Sequence, residues 1–175
     1  YRIYDKLGLG DSLSMQINSI GCANCRPKYL KELTKYYKNH ATELCDDCKK
    51  RLSNSPLRLL DCKNKKCQIL AEEAPQIINS LCTECHDHFS VVLEYLDEIG
   101  IVYEINPRLV RGLDYYTRTV FEFWSDSDGS QNSLGGGGRY DMLFEQLGGK
   151  PTPALGFAGG VDRTVEQLMA SNISF

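Results

Sequence analysis

No stretch of the 175 residues carries 18 consecutive apolar side chains, so no segment reads as a membrane-crossing helix. The opening YRIYDKLGLG has neither the basic start nor the apolar core of an export signal, and a cytoplasmic protein without a membrane partner is expected. Positive charge is not in excess: 20 Lys and Arg against 23 Asp and Glu leave −3, which excludes a uniformly basic nucleic-acid binder. Low-complexity composition is missing too. A chain 42% hydrophobic and 10% aromatic is neither disordered nor collagen-like, and its length suffices for one core and a second small one. Tyr1 opens the sequence and the last strong motif lies a dozen residues from its end, so a fragment of a longer enzyme is expected.

What is present is unevenly placed. Between Cys22 and Gln68 there are twelve Lys or Arg and five Asp or Glu, a local charge of +7 that leaves −10 for the remainder. Leu13, Met15 and Ile17 alternate with Ser14, Gln16 and Asn18, the period of a half-buried strand ending at Ser19-Ile20-Gly21. From Cys22 the period lengthens. Leu30, Leu33 and Tyr37 recur at helical spacing with lysines between them, and further helices are predicted over 43–52 and 72–81, with Pro56, Asn64 and Pro75 in the loops. Phe89, Val92, Leu93, Leu96 and Ile99 make a helical stripe that Gly100 closes as a left-handed cap.

Strands return in IVYEI and TVFEFW, followed by a polar turn over 125–132, LGGGGRYDML with a short helical stretch, and the small-residue strand PALGFAGG. A last helix, VDRTVEQLMA, places Val165, Leu168 and Met169 on one face. The expected class is α+β: a mostly antiparallel sheet with flanking helices, built from core segments 1–21 and 101–175 and interrupted by a helical insertion over 22–100.

All eight cysteines fall in that insertion, as Cys22/Cys25, Cys45/Cys48, Cys62/Cys67 and Cys82/Cys85. Three of these pairs are CxxC, a spacing that turns two thiolates toward one tetrahedral zinc; eight ligands permit two structural Zn2+. An insertion with few large aliphatics has a physical need for such cross-links. Disulfides would require an oxidising compartment, and free CxxC thiols would oxidise readily. Sequence order suggests Cys22/Cys25 with Cys45/Cys48 and Cys62/Cys67 with Cys82/Cys85, while a helical hairpin would interleave them; His86 and His88 stand beside the last pair as alternative ligands.

The remaining motifs are LVRGLDYYTRTVFE, LGGGGRYD and PALGFAGGVDR. In isolation the first is a surface arginine beside two core tyrosines. Followed by a glycine run that lets a ligand approach the backbone, and by Arg163 at a helix start after Gly156, Ala158, Gly159 and Gly160, it outlines a site for a flat ligand.

With INSIG at 17–21, SPLRLLD at 55–61, RGLDYYT at 111–117, GGGRYD at 136–141 and GFAGGVDR at 156–163, the chain resembles the bacterial histidyl-tRNA synthetases, which are class II aminoacyl-tRNA synthetases. The resemblance runs through nearly all 175 residues, and RGLDYYT and GGGRYD carry most of its specificity. It implies a histidine–tRNA ligase that uses ATP, with Mg2+ accompanying the nucleotide, to form histidyl-adenylate and then charge tRNA(His). Arg111 matches the catalytic arginine, where a forked guanidinium can hold both the histidine carboxylate and the ATP phosphate. Tyr115, Tyr116 and Tyr140 match histidine-binding tyrosines, and Arg163 the ATP-binding arginine of the third class II motif. Asp114 is expected to support the motif's backbone, and Glu122 to sit on the sheet face.

The resemblance also implies a homodimer and an insertion facing the tRNA acceptor arm. Lys35, Lys38, Lys49 and Lys50 are the candidate phosphate contacts within the +7 stretch; the alternative is a solvated lysine face. Asp162 stands where the class usually has Glu. Because the first two class II motifs and the anticodon-binding domain lie outside this sequence, the piece alone is not expected to aminoacylate. Two rival readings are a non-catalytic regulatory subunit of histidine biosynthesis and a zinc-stabilised RNA-binding module.

Overall fold

The computed structural model describes residues 1–125 and 133–173. The turn expected over 125–132 lies, but for Ser125, outside the described residues. Among the described residues no helix is long and apolar enough to cross a membrane.

Five strands form one sheet in the order β2-β1-β3-β4-β5, with β1 (Leu13–Ser19), β2 (Tyr103–Ile105), β3 (Thr117–Ser125), β4 (Ser133–Arg139) and β5 (Leu155–Gly159). Only β1 and β2 run parallel. A parallel pair needs a crossover, and here the crossover is the whole cysteine-rich segment, with helices α2 (Arg26–Asn39), α3 (Asp46–Asn54), α4 (Lys65–Glu72) and α5 (Thr83–Glu98). Three further helices are α1 (Arg2–Lys6) at the start, the short α6 (Leu143–Gln146) and α7 (Val161–Ala170).

The registers place one residue from each strand in a row across the sheet: Glu104, Gln16, Glu122, Gly136 and Ala158 lie side by side. Residues one position away, among them Met15, Ile17 and Phe123, point to the opposite face and form one core with Tyr4, Leu9, Phe89, Leu134 and Leu168. A second core is centred on the cysteine-rich segment. It joins Tyr29, Leu33, Tyr37, Leu59 and Ile77 to Leu109, Val110, Tyr116 and Val120. The segment 22–100 therefore contributes to both cores, because α5 lays Phe89, Val92, Leu93 and Leu96 against the sheet.

The structure corrects several local expectations. Strand β1 is buried on both faces: Gln16 and Asn18 are 3% and 0% exposed, their amides held by Glu104, Asn106 and the carbonyls of Pro107 and Leu109. The buried stripe of α2 is Tyr29, Leu33 and Tyr37, with Tyr29 replacing Leu30. The helix predicted over 72–81 is instead α4, which Asn64 starts by accepting a hydrogen bond from the Lys66 amide; Pro75 follows, and 77–80 is a single tight turn. In α7 only Leu168 is buried, while Val165 and Met169 are exposed. Gly100 adopts φ +68°, as a left-handed cap requires.

Candidate active site and metal centres

Glu122, Gly136 and Ala158 of this row face a cleft of about 820 Å³. Its walls are the loop after β2, which carries Arg108 and Arg111, the first turn of α7 with Arg163, and the Asp61–Lys63 stretch of the cysteine-rich segment. Glycines fit the floor because β4 is crowded from both sides: a Cβ at Gly136 would lie 3.0 Å from Arg111 Nη1, and one at Gly137 would lie 2.0 Å from the Gly156 carbonyl oxygen.

Arg111 is held in place from two directions. Its Nη1 donates to Glu122, whose other oxygen accepts 2.8 Å from Trp124 Nε1, and its guanidinium carbon stands 5.6 Å from the centre of the Tyr116 ring. The arginine and glutamate side chains are 22% and 17% exposed, so this ion pair is poorly screened. Arg111 Nε is buried and has no partner among the described residues. Glu122 thus sits on the sheet face as expected and is also the counter-ion of Arg111, a pairing that sequence spacing did not disclose.

Arg163 lines the same cleft and donates 3.0 Å to the Ser133 carbonyl. The three tyrosines do not line it. They form their own cluster, with ring centres 4.7 Å apart for Tyr115 and Tyr116, 5.6 Å for Tyr115 and Tyr140, and 6.0 Å for Tyr116 and Tyr140. Arg111 joins this cluster to the cleft. Burial, then hydrogen bonding to Tyr116, raises the pKa of the Tyr115 hydroxyl, which stays protonated and able to donate.

The cysteines gather into two four-sulfur groups, Cys22/Cys25/Cys82/Cys85 and Cys45/Cys48/Cys62/Cys67. The sequential pairing suggested above is therefore replaced by a nested one, because the start of α5 brings the last pair to the first while the middle pairs close on each other. Neither His86 nor His88 substitutes: His86 faces Asp87 at the surface, and His88 Nε2 faces Arg139.

Sulfurs around a tetrahedral zinc, each about 2.3 Å from the metal, are separated by about 3.8 Å, whereas a disulfide requires about 2.0 Å. In the first group four of the six separations are 3.6, 3.8, 3.9 and 3.7 Å, Cys45 and Cys62 in the second are 3.8 Å apart, and all lie within 4.8 Å. The donor set and its dimensions fit such a metal. Burial pushes the Cys22 thiol up, but hydrogen bonds from the backbone at Cys25 and Asn24 outweigh it and hold the thiol at about 6. Cys45 is likewise lowered, chiefly by a backbone hydrogen bond from Cys48, whereas burial raises Cys48 and Cys85. Cys22 is thus the readiest thiolate of the first group.

Contacts that the sequence reading missed join the first sulfur group to the sheet. Arg26, next to Cys25, donates 2.6 Å to the Tyr116 carbonyl, Glu84 pairs with Arg118, and His88 meets Arg139 Nη1 at 3.0 Å. The only advance signal was their place beside the cysteines.

The histidyl-tRNA synthetase family model matches residues 20–164. The chain belongs to the histidyl-tRNA synthetase family. It is 50% identical over 174 residues to a histidine–tRNA ligase of Dehalococcoides mccartyi, covering 99% of this chain and 41% of that protein. Against a histidine–tRNA ligase of Nitratiruptor sp. it is 52% identical over 155 residues, 89% of this chain and 38% of the relative. Among solved structures, the apo histidyl-tRNA synthetase of S. aureus superposes with a TM-score of 0.73 at 36% identity, over 99% of this chain and 42% of that one. The chain spans about two fifths of the length of these relatives.

Proposed function

We propose that the chain is the histidine-activating part of a histidine–tRNA ligase, with segments 1–21 and 101–175 belonging to the catalytic core and 22–100 inserted between them. The observation that carries this reading is the Arg111 guanidinium: paired with Glu122 and near the Tyr116 ring, with a buried Nε that has no partner among the described residues, in a cleft it shares with Arg163. An anion entering the cleft meets a fixed positive charge.

In the reaction, the histidine carboxylate attacks the α-phosphorus of ATP, forming histidyl-adenylate and releasing pyrophosphate. The terminal ribose of the tRNA then takes the histidyl group and AMP leaves. Two anions must approach in the first step, and a preorganised guanidinium stabilises the charge that accumulates on the α-phosphoryl oxygens. Arg111 fills that role, while Glu122 aligns it beforehand. Arg163 binds the nucleotide, and Mg2+ accompanies the triphosphate. Tyr115, Tyr116 and Tyr140 supply hydroxyls to the imidazole of the substrate, which a hydrogen-bonding site separates from apolar competitors by large factors.

The two sulfur groups would each hold one structural Zn2+, which supplies cross-links to a small module. Lys35, Lys38, Lys49 and Lys50 are all exposed, as phosphate contacts to the acceptor arm of tRNA(His) must be. The full-length enzyme would be a cytoplasmic homodimer. A non-ligating regulatory subunit is the weaker reading, since Arg111 and Arg163 are both retained in one cleft. Histidine-dependent exchange of pyrophosphate into ATP by the full-length protein tests the proposal; exchange that does not depend on histidine, or no exchange, would reject it.

A further inference from the structure

The cysteine-rich segment touches the sheet at the two chain segments that carry the tyrosine cluster. On the first, Arg26 Nη2 donates 2.6 Å to the Tyr116 carbonyl, and the Gly21 carbonyl accepts 2.9 Å from the Arg118 amide and 3.2 Å from Thr117 Oγ1. Arg118 is one of two described non-glycine residues with positive φ, at 56°, and its guanidinium is tied to Glu84, which lies between Cys82 and Cys85. A strained residue persists only when its surroundings hold it, and here they are Gly21, immediately before the cysteine-rich segment, and Glu84 within it.

On the second segment the contact from the cysteine-rich segment is made by a histidine. Arg139 Nη1 donates 3.0 Å to His88 Nε2 on α5, and Arg139 Nε donates to both oxygens of Asp141 at 2.9 and 2.7 Å. Asp141 Oδ1 in turn accepts 3.2 Å from the Ala154 amide, while the Tyr140 amide donates 2.8 Å to the Ala154 carbonyl. Tyr140 therefore lies in the chain between two residues whose side chains are paired to each other. His88 Nδ1 is buried with no partner among the described residues, so the ring accepts an unsatisfied nitrogen while making the Arg139 contact.

We propose that His88 is a positioning residue for the substrate: by accepting the Arg139 hydrogen bond it orients the Arg139–Asp141 pair and, through that pair, the Tyr140 ring that completes the tyrosine cluster. The cysteine-rich segment then sets the affinity for histidine as well as facing RNA. This role rests on the ligase reading for its substrate, but not for its geometry.

Two variants of the full-length protein separate the possibilities. His88→Leu removes the acceptor, and His88→Gln replaces it with a carbonyl oxygen of similar reach. In pyrophosphate exchange, His88→Leu raises the KM for histidine about tenfold, the scale of a charge-assisted hydrogen bond, with kcat and the KM for ATP near wild type. His88→Gln restores the histidine KM. An unchanged histidine KM in His88→Leu, or an equal loss in both variants alongside reduced thermal stability, would overturn the proposal. Amide hydrogen exchange read at Tyr140 and Asp141 gives a second readout independent of activity: it rises in His88→Leu and not in His88→Gln, and equal protection in all three proteins would refute the positioning. A wild-type protein without histidine-dependent exchange would defeat the ligase reading, while amide exchange would still decide this one.

Discussion

Replacing Gly136 with alanine tests whether the glycine run exists to admit Arg111. The added methyl would fall 2.7 Å from the Phe121 carbonyl oxygen, 2.8 Å from Glu122 Cγ and 3.0 Å from Arg111 Nη1. Ordinary van der Waals contact begins near 3.4 Å, so the β3 backbone and the ion pair must each give way by several tenths of an ångström. Overpacking of this kind costs about 1–3 kcal/mol, which for a domain of this size lowers the melting temperature by about 2–4 °C per kcal/mol. The functional cost is of similar size, because displacing a catalytic group by up to about an ångström reduces turnover by as much as about a hundredfold, or about 2.7 kcal/mol. Pyrophosphate exchange and a thermal melt of full-length Gly136→Ala measure both. Lower stability with unaltered histidine activation would show that the glycine serves strand packing alone, and wild-type values in both assays would refute the steric argument.

The nested sulfur groups predict that a Cys22→Ser/Cys85→Ser double variant keeps one zinc per chain by native mass spectrometry; loss of both would favour the sequential pairing. Stability carries a pH signature from His88. Burial, then Arg139 and Arg118, lowers its pKa from 6.5 in the fold, so the unfolded chain takes up a proton more readily than the folded one. Its contribution is complete above pH 6.5 and is lost as the pH falls through that value toward the lower folded pKa. Denaturant titrations at pH 8 and pH 5 check this: the fall in stability should be smaller in His88→Leu, and equal falls would contradict it. Neutralising Lys35, Lys38, Lys49 and Lys50 together should weaken tRNA binding and flatten its salt dependence; an unchanged affinity would reject the phosphate contacts.

Much of the fold was legible because its elements have clean periods. Leu13, Met15 and Ile17 give β1, and Gly100 marks the end of the α5 stretch. The period of β1 could not reveal that Gln16 and Asn18 are buried as well, since their burial depends on Asn106, Pro107 and Leu109 arriving some ninety residues later. The helix over 65–72 was obscured because Lys65 and Lys66 blur the apolar pattern, while the Asn64 cap that starts it reads equally as a turn residue. At the site, the motifs located Arg111 and Arg163, which the fold brings to one cleft. Glu122 as counter-ion and His88 as acceptor for Arg139 were not legible, because each lies on a different element from its partner. The same holds for the metal groups. CxxC spacing identifies donors, and only the path of α5 decides which four meet.

The most direct measurement is pyrophosphate exchange by full-length Arg111→Ala beside its parent, at saturating ATP and varied histidine. The account predicts a loss of kcat of about a hundredfold or more with the fold retained, because the charge lost acts on the transition state. Exchange at the parent rate would contradict the account, since the paired guanidinium in the cleft would then have no part in joining carboxylate to phosphate.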